Sequence, residues 1–237
     1  MDNSKRGYIP MQERLDLNKT QGASTPEEVK RMQNVPYASA NPGESHWTVM
    51  KTILKYLRNT KDMFLVYDGN PEAELRVECY CDAGFETDRD DRKSQTGYVF
   101  VLNEGAVDWK SSKHSTTAMS AIEAECIAAS EATMEAVWIR KFISGLGIVP
   151  TINEPIRMFC DNSAALHFAN EPGVQKGARH YHRRYHYVRE SIELGEIKFL
   201  KVHTYDNLAD PFTKALSNKK LTQHARSMGL RLASSFM

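Results

Sequence analysis

The sequence has 237 residues, enough for one ordinary domain with appended segments or for two small domains. Its 41% of hydrophobic and 26% of charged residues, with a formal net charge of +1, are typical of a globular protein and exclude a polycation that coats nucleic acid through bulk charge. No apolar run reaches the length of a membrane span and no signal-like segment opens the chain, so we expect neither a membrane partner nor secretion.

Residues 1–43 are predicted to be largely irregular, with one short helix beginning at Pro26. Thr25 suits the N-cap of that helix, and Glu28 stands where it completes a capping box. The stretch VPYASANPGES is rich in Pro, Ser and Gly, which indicates a connector. This segment has few apolar anchors.

Residues 44–74 predict a helix followed by a strand. HWTVMKTILKYLRNT carries apolar residues at helical spacing, and MFLVYDGN reads as a strand that ends in an Asp-Gly turn. The pair is too small to bury its apolar face alone. We therefore expect Trp47, Ile53 and Leu57 to pack against the domain that follows, with part of this face left exposed.

Residues 75–217 are predicted to form the main domain, and residues 218–237 a C-terminal tail. The domain begins with LRVECYCD, which alternates with the period of a strand. TGYVFVL and AVDWKS follow as the second and third strands, and the sequence NEG between them marks a hairpin turn.

Helices and strands alternate through the rest of this domain. A long helix is predicted from Met119 to about Gly145, then a strand at IRMFC and a short helix at 162–170. A helix from Ala178 to Leu194, a strand at EIKFLKVH and a last helix carrying NLADPFTKAL complete it. This order predicts an α/β fold in which a mixed five-stranded sheet, three antiparallel strands followed by parallel ones, is flanked by helices.

Four acidic residues stand at the edges of these elements. Asp82 and Asp161 each end a predicted strand, Glu125 lies near the start of the long helix, and Asp210 lies in the last helix. Neighbouring strand ends would bring Asp82 and Asp161 together, and carboxylates that meet repel each other unless cations neutralise them. Mg²⁺ suits such a set, and two ions about 4 Å apart can clamp an attack on phosphorus.

The long helix offers two candidate glutamates, Glu123 and Glu125, which face different sides. The face of Glu125 continues through small and apolar residues and is predicted to pack against the sheet, where a carboxylate needs a partner. Glu123 shares its side with a mixed surface and is interpreted as a solvated acid favoured by the helix dipole. We therefore predict Glu125 as the metal ligand.

The four cysteines lie inside apolar runs and lack CxxC spacing. They are predicted to be buried free thiols in a reducing compartment. A metal pair at Cys79 and Cys81 is the less favoured alternative to simple strand packing.

Several long segments, in order from about Asn41 to Leu216, resemble the C-terminal part of the Pol polyprotein of copia-type LTR retrotransposons. They are HWTVMKTILKYLRNTKD, CYCDAGFETDRDDRKSQTGYVF, VDWKSSKHSTTAMSAIEAE, FCDNSAA, RHYHRRYHYVRE and NLADPFTKAL. In that family they belong to the end of the reverse transcriptase and to its ribonuclease H domain. The resemblance makes residues 1–43 a reverse transcriptase remnant and residues 44–74 a connection segment.

The resemblance implies a ribonuclease H-like fold and hydrolysis of the RNA strand in an RNA–DNA hybrid with two Mg²⁺ or Mn²⁺ ions. It implies the rest of the Pol polyprotein as a partner, and a location in a cytoplasmic virus-like particle or in the nucleus. The family's catalytic, metal-binding acids fall on four positions that each hold a carboxylate here: Asp82, Glu125, Asp161 and Asp210.

The sequence also departs from the family. A reverse transcriptase segment expected between Ala40 and Asn41 is missing, and no YVDD-like pair of aspartates is present, so we expect no polymerase activity. Ile122 replaces the usual Thr before EAE, which predicts the loss of a capping hydroxyl worth about 1 kcal/mol. Cys126 replaces the usual aromatic residue.

A basic helix is predicted in KGARHYHRRYHYVRE. Arg179, Arg183 and His186 share one face of it and are candidate contacts to the nucleic-acid backbone. Two alternatives stay open: an ordinary solvated face, and a zinc site at His182 and His186, which lacks the glutamate of an HExxH motif.

Three functions remain after these observations. The first is a ribonuclease H that recognises hybrids through duplex shape and 2′-hydroxyls. The second is a weak or inactive retrotransposon remnant that only binds nucleic acid. The third is an integrase- or transposase-like nuclease. The sequences IEAEC and NLAD and the presence of a fourth acidic residue argue against it.

Overall fold

The computed structural model describes residues 7–13, 15, 17–35, 42–67, 76–147, 154–170 and 182–236. The predicted Asp68-Gly69 turn lies outside these residues. The helices are α1 (Pro26–Gln33), α2 (Glu44–Asn59), α3 (Ala121–Leu146), α4 (Ser163–Asn170), α5 (His182–Glu193) and α6 (Asn218–Ser227). The strands are β1 (Met63–Leu65), β2 (Val77–Asp88), β3 (Lys93–Leu102), β4 (Gly105–Lys113), β5 (Ile156–Cys160), β6 (Ile197–Lys201) and β7 (Leu230–Leu232).

The main sheet has five strands in the order β4-β3-β2-β5-β6. The first three strands pair antiparallel, and β5 and β6 continue the sheet in parallel with β2. Strand β2 is therefore central and carries both kinds of pairing. The predicted mixed α/β sheet of three antiparallel strands followed by parallel ones is confirmed.

Helix α3 packs its small-residue face against this sheet. Ala129, Ala132, Ala136 and Ile139 are all buried in one core cluster with β2, β5 and β6 residues. Alanine side chains let helix and strands approach closely, which explains why a stripe of small residues stands where the helix crosses the sheet. The face predicted for Glu125 is the buried face.

The C-terminal residues form an unpredicted second sheet. Strand β7 pairs antiparallel with β1, and Gly229, with φ of 87°, turns the chain from α6 into β7. Close by, the Tyr67 hydroxyl donates a hydrogen bond to the Ala106 carbonyl at 2.9 Å. The connection segment is thus tied both to the C-terminal strand and to the start of β4.

The predicted helix around NLADPFTKAL is wrong. The structure has two short 3₁₀ helices there, Thr204–Asp206 and Asp210–Phe212, and α6 begins only at Asn218. Pro211 lacks a backbone N–H, and the Asn207 side chain accepts a hydrogen bond from the Ala209 N–H at 3.1 Å. Both features favour tight turns over a continuous helix.

Helix α2 is only partly covered. It has no fully buried residue, and Leu57, which we expected to pack against the main domain, is 55% exposed. The expectation that part of this apolar face is exposed is met. Among the described residues, no helix combines the length and the apolar character needed to cross a membrane.

Candidate metal centre

Two strand ends place the first two carboxylates. Tyr80 of β2 pairs with Phe159 of β5, and Asp82 and Asp161 each lie two residues beyond that pair. The parallel strands therefore bring both aspartates to one edge of the sheet. Asp82 is only 2% exposed, whereas Asp161 is half-buried and forms the more open side.

The loop that carries Asp210 is fastened to the end of β2. The Asn207 side-chain amide donates a hydrogen bond to the Cys81 carbonyl at 3.0 Å, and the Thr213 hydroxyl donates one to Asp82 Oδ2. As a result, Asp82, Asp161 and Asp210 each offer one oxygen atom, and these atoms all lie within 4.8 Å of one another.

A glycine makes this close approach possible. Gly97 of β3 is the cross-strand partner of Asp82. A Cβ atom at this position would lie 2.6 Å from Thr213 Cγ2 and 2.9 Å from Phe212 Cβ. Any larger residue would push the loop away from the sheet.

Glu125 joins the site from the first turns of α3. Ser120 caps this helix and accepts the Glu123 N–H at 3.2 Å, so the expected loss of a capping hydroxyl at Ile122 does not matter. Glu125, Cys160 and Asp161 form a second group with ligand atoms within 4.8 Å of one another. Asp161 belongs to both groups and connects them.

Burial controls the protonation of these acids. Desolvation raises the pKa of Asp82 and of Asp210 above the usual value, although Lys214 opposes the change in both. The pKa of Glu125 rises to about 10, first through burial and then through the negative charges of neighbouring groups. In the metal-free protein this rise in pKa favours the neutral form of Glu125 at neutral pH, even with Lys214 nearby.

Lys214 supplies a positive charge beside these acids. Its ammonium nitrogen lies 2.8 Å from Asp210 Oδ1 and 3.5 Å from Asp82 Oδ2. Burial works against the charge of Lys214, but Asp82 and Asp210 outweigh it and raise its pKa above the usual value. Lys214 was not predicted from the sequence, although its position four residues after Asp210 was an available signal.

The donor set fits a hard divalent cation. Asp82, Asp161 and Asp210 present oxygen atoms, the ligands that Mg²⁺ and Mn²⁺ prefer. A bound cation would also stabilise the ionised form of the buried Glu125 carboxyl group, which burial and the neighbouring negative charges disfavour. All four predicted ligands therefore lie in the two linked groups.

Glu123 is not the solvated acid that we expected. It is 6% exposed, and its carboxylate accepts the Met119 N–H at 2.8 Å. Glu123 thus satisfies a backbone donor at the start of α3, while Glu125 faces the acidic cluster. Helical spacing correctly predicted that Glu123 and Glu125 face different sides. It gave no indication that Glu123 accepts a hydrogen bond from a residue before the helix.

The basic helix is described only in part. Arg183 and His186 are exposed on α5, and Arg179 lies outside the described residues. The buried face of α5 carries Tyr185 and Val188, as predicted. The alternative zinc site at His182 and His186 stays a prediction, because the structure does not describe the His182 side chain.

Relatives of the chain are Pol polyproteins. The chain is 32% identical over 247 residues to the "Retrovirus-related Pol polyprotein from transposon TNT 1-94" of Nicotiana tabacum. The matched region covers 93% of this chain and 18% of that polyprotein. It is 30% identical over 190 residues to the Pol polyprotein from transposon RE2 of Arabidopsis thaliana, covering 80% of this chain and 13% of the relative. The chain belongs to the retrovirus-related Pol family of transposons.

This Pol chain spans less than a fifth of the length of those relatives. No protein-family model matches it. Among solved structures, it is similar to the N-terminal RNase H domain of a Mycobacterium tuberculosis protein, with a TM-score of 0.43 and 14% identity over 65% of this chain and 99% of that one. The copia-type Pol resemblance of the sequence is confirmed.

Proposed function

We propose that this chain is a metal-dependent endonuclease that hydrolyses the RNA strand of RNA–DNA hybrids, as the ribonuclease H part of a Pol polyprotein. The observation that carries the proposal is the approach of Asp82, Asp161 and Asp210 to within 4.8 Å, in a chain of the Pol family. Phosphodiester hydrolysis at such a site needs only carboxylates, divalent ions and water.

The proposed cofactors are two Mg²⁺ or Mn²⁺ ions. When bound, they would activate a water molecule and neutralise the charge on the leaving oxygen. The residues that would hold them are Asp82, Glu125, Asp161 and Asp210.

The protein's own contribution is to position these ligands. Asn207 and Thr213 fix the Asp210 loop on β2, so the carboxylates meet without rearrangement of the backbone. Carboxylates fixed in this way would hold the metal ions in place without reorganisation during the reaction. Asp161 is the most exposed of the three aspartates, so a phosphate would approach from its side.

Substrate binding is assigned to the basic residues that the sequence predicts on one helix face. Arg179, Arg183 and His186 would contact phosphates of the hybrid, and the exposure of Arg183 and His186 supports this role. Such contacts carry no sequence information, which suits an enzyme that reads duplex shape. We place the chain with the rest of the Pol polyprotein, in cytoplasmic particles or the nucleus, where hybrids form.

The test is cleavage of three substrates by the purified chain: a hybrid with labelled RNA, single-stranded RNA and double-stranded DNA. We expect cleavage of the hybrid alone, supported by Mg²⁺ or Mn²⁺ and not by Ca²⁺, which adopts looser geometry. Binding of the hybrid without cleavage would favour the inactive remnant. Cleavage of DNA would favour the integrase-like alternative, and cleavage in excess EDTA would contradict metal dependence.

A further inference from the structure

The second ligand group contains a sulfur atom. Cys160 ends β5 directly before Asp161, and its Sγ lies 3.9 Å from Glu125 Oε2. Glu125, Cys160 and Asp161 can each direct one ligand atom to a common point, since these atoms lie within 4.8 Å of one another. This set is mixed, unlike the all-oxygen group of Asp82, Asp161 and Asp210.

The buried carboxyl group of Glu125 has only a weak hydrogen-bond partner within this group. The residue is 8% exposed, and the one hydrogen-bond contact of its carboxyl group within the described part of the chain is Cys160 Sγ. A sulfur atom at 3.9 Å is a weak partner for a buried carboxyl group, because thiols are poor donors. Burial without a strong partner is costly, and a bound cation would remove that cost.

The distances suit tetrahedral coordination. Zinc bonds of about 2.3 Å to sulfur and about 2.1 Å to oxygen place the two ligand atoms about 3.6 Å apart at the tetrahedral angle. The observed separation of Cys160 Sγ and Glu125 Oε2 is 3.9 Å, so a small side-chain adjustment is sufficient. Three protein ligands would leave the fourth position to water, the pattern of open zinc sites.

The backbone holds this sulfur in place. The Asn162 N–H points at Cys160 Sγ at 3.4 Å. Thiolate sulfur prefers Zn²⁺ and softer ions, whereas Mg²⁺ binds oxygen ligands almost exclusively. The sulfur therefore makes this group prefer Zn²⁺ or a softer ion, whereas the all-oxygen group of Asp82, Asp161 and Asp210 prefers Mg²⁺.

We propose that Glu125, Cys160 and Asp161 form a thiolate-containing site for Zn²⁺ or a softer divalent ion. Cys160 binds as the thiolate and Glu125 as the carboxylate, and the protons of both groups pass to solvent as the bonds to the metal form. An ion here takes Asp161 and Glu125 away from the hydrolytic centre, so Zn²⁺ inhibits hydrolysis. Only this inhibition rests on the proposed function; the binding site itself stands on its own geometry.

The test is a titration of the full chain, kept reduced with a phosphine, with Cd²⁺, whose bonds to thiolate absorb in the ultraviolet. We expect the band to grow to one equivalent in the wild type and in Cys126→Ser, and to be absent in Cys160→Ser. Cys126 is a matched control because it is also a buried free thiol and directly follows Glu125. Excess Mg²⁺ should leave the band in place.

Glu125→Gln provides a second arm in case Cys160→Ser fails to fold, as judged by circular dichroism. It keeps the thiol and should weaken Cd²⁺ binding by at least about tenfold, the effect of losing one ligand. Persistence of the band in folded Cys160→Ser, or unchanged affinity in Glu125→Gln, would overturn the proposal. A wild type that shows the Cd²⁺ band but fails to bind Mn²⁺ in calorimetry would overturn the proposed function and leave this site standing.

Discussion

Lys214 places a positive charge next to two buried carboxylates, 2.8 Å from Asp210 Oδ1 and 3.5 Å from Asp82 Oδ2. A divalent ion bound to these carboxylates would be repelled by the ammonium group. The lysine side chain is 42% exposed and has room to move toward solvent. At the scale of single residues, Lys214 is thus a counter-charge that stabilises the metal-free protein and opposes metal binding.

Replacing Lys214 by Met is expected to strengthen Mn²⁺ binding, measured by calorimetry, and to lower the stability of the metal-free protein. The loss should be about 1–2 kcal/mol, between the values for exposed and buried ion pairs. Lys110→Met is the matched control, since Lys110 is 41% exposed and lies 3.1 Å from Glu131. Equal Mn²⁺ affinity in both variants would show that Lys214 is no competitor.

Glu125 makes the stability of the metal-free protein depend on pH. Its pKa is about 10 in the folded state, above the unfolded value near 4.5, so the folded state binds more protons between these limits. Stability therefore falls as pH rises through that window, by up to about 1.4 kcal/mol per pH unit. Glu125→Gln removes this loss.

We expect Glu125→Gln to melt higher than the wild type in EDTA, with a gap that widens from pH 5 to pH 8. Glu123→Gln, the control in the same helix, should instead lose stability because its amide oxygen accepts the Met119 N–H less strongly. Parallel melting curves of Glu125→Gln and the wild type across this pH range would disprove the linkage.

Elements with a clear period were predictable from the sequence. The alternation of Val77, Cys79 and Cys81 predicted β2, and the small-residue stripe of α3 predicted its buried face. The turn around Pro211 was not predictable from apolar spacing, because Asn207 sets it through hydrogen bonds to nearby Ala209 and to Cys81, which is distant in the sequence. The candidate acids were predicted from their positions and the family resemblance, whereas Lys214 and the anchors of the Asp210 loop needed the structure.

Gly97→Ala tests how tightly the Asp210 loop must pack on β3. The added Cβ would clash with Thr213 and Phe212, so we expect the loop to shift and Mn²⁺ affinity to fall by at least about tenfold. Gly145→Ala is the control: nothing lies within 4 Å of a Cβ there, and a helical alanine should add up to about 1 kcal/mol of stability. Unchanged Mn²⁺ affinity in Gly97→Ala would show that the loop position is not critical.

At the scale of the whole molecule, the segment before the main sheet is attached at its strand. Strand β1 pairs with β7, and the Val66 N–H donates to the Gly229 carbonyl at 2.9 Å. The earlier residues make fewer anchoring contacts: the described residues of the N-terminal segment contain no buried side chain before Gly43. The domain boundaries at residues 43 and 74 stay predictions, and residue 74 lies outside the described residues.

Thermal unfolding of two truncations should show this difference. Deleting residues 1–43 is expected to cost little stability, because few apolar contacts are lost. Deleting residues 1–70 should cost several kilocalories per mole, since β7 loses its partner strand and Ala106 loses the Tyr67 hydrogen bond. Equal melting temperatures for both truncations and the full chain would mean that the segment is not docked.

The measurement that tests the central claim most directly is cleavage of a labelled RNA–DNA hybrid by Asp161→Asn beside Glu123→Gln, at saturating Mg²⁺. Asp161 belongs to both ligand groups, whereas Glu123 is a carboxylate that accepts a hydrogen bond from the Met119 N–H. We expect Asp161→Asn to lose at least about a thousandfold in rate while remaining folded, and Glu123→Gln to keep most activity. A cleaving Asp161→Asn variant, or an inactive but folded Glu123→Gln, would contradict it.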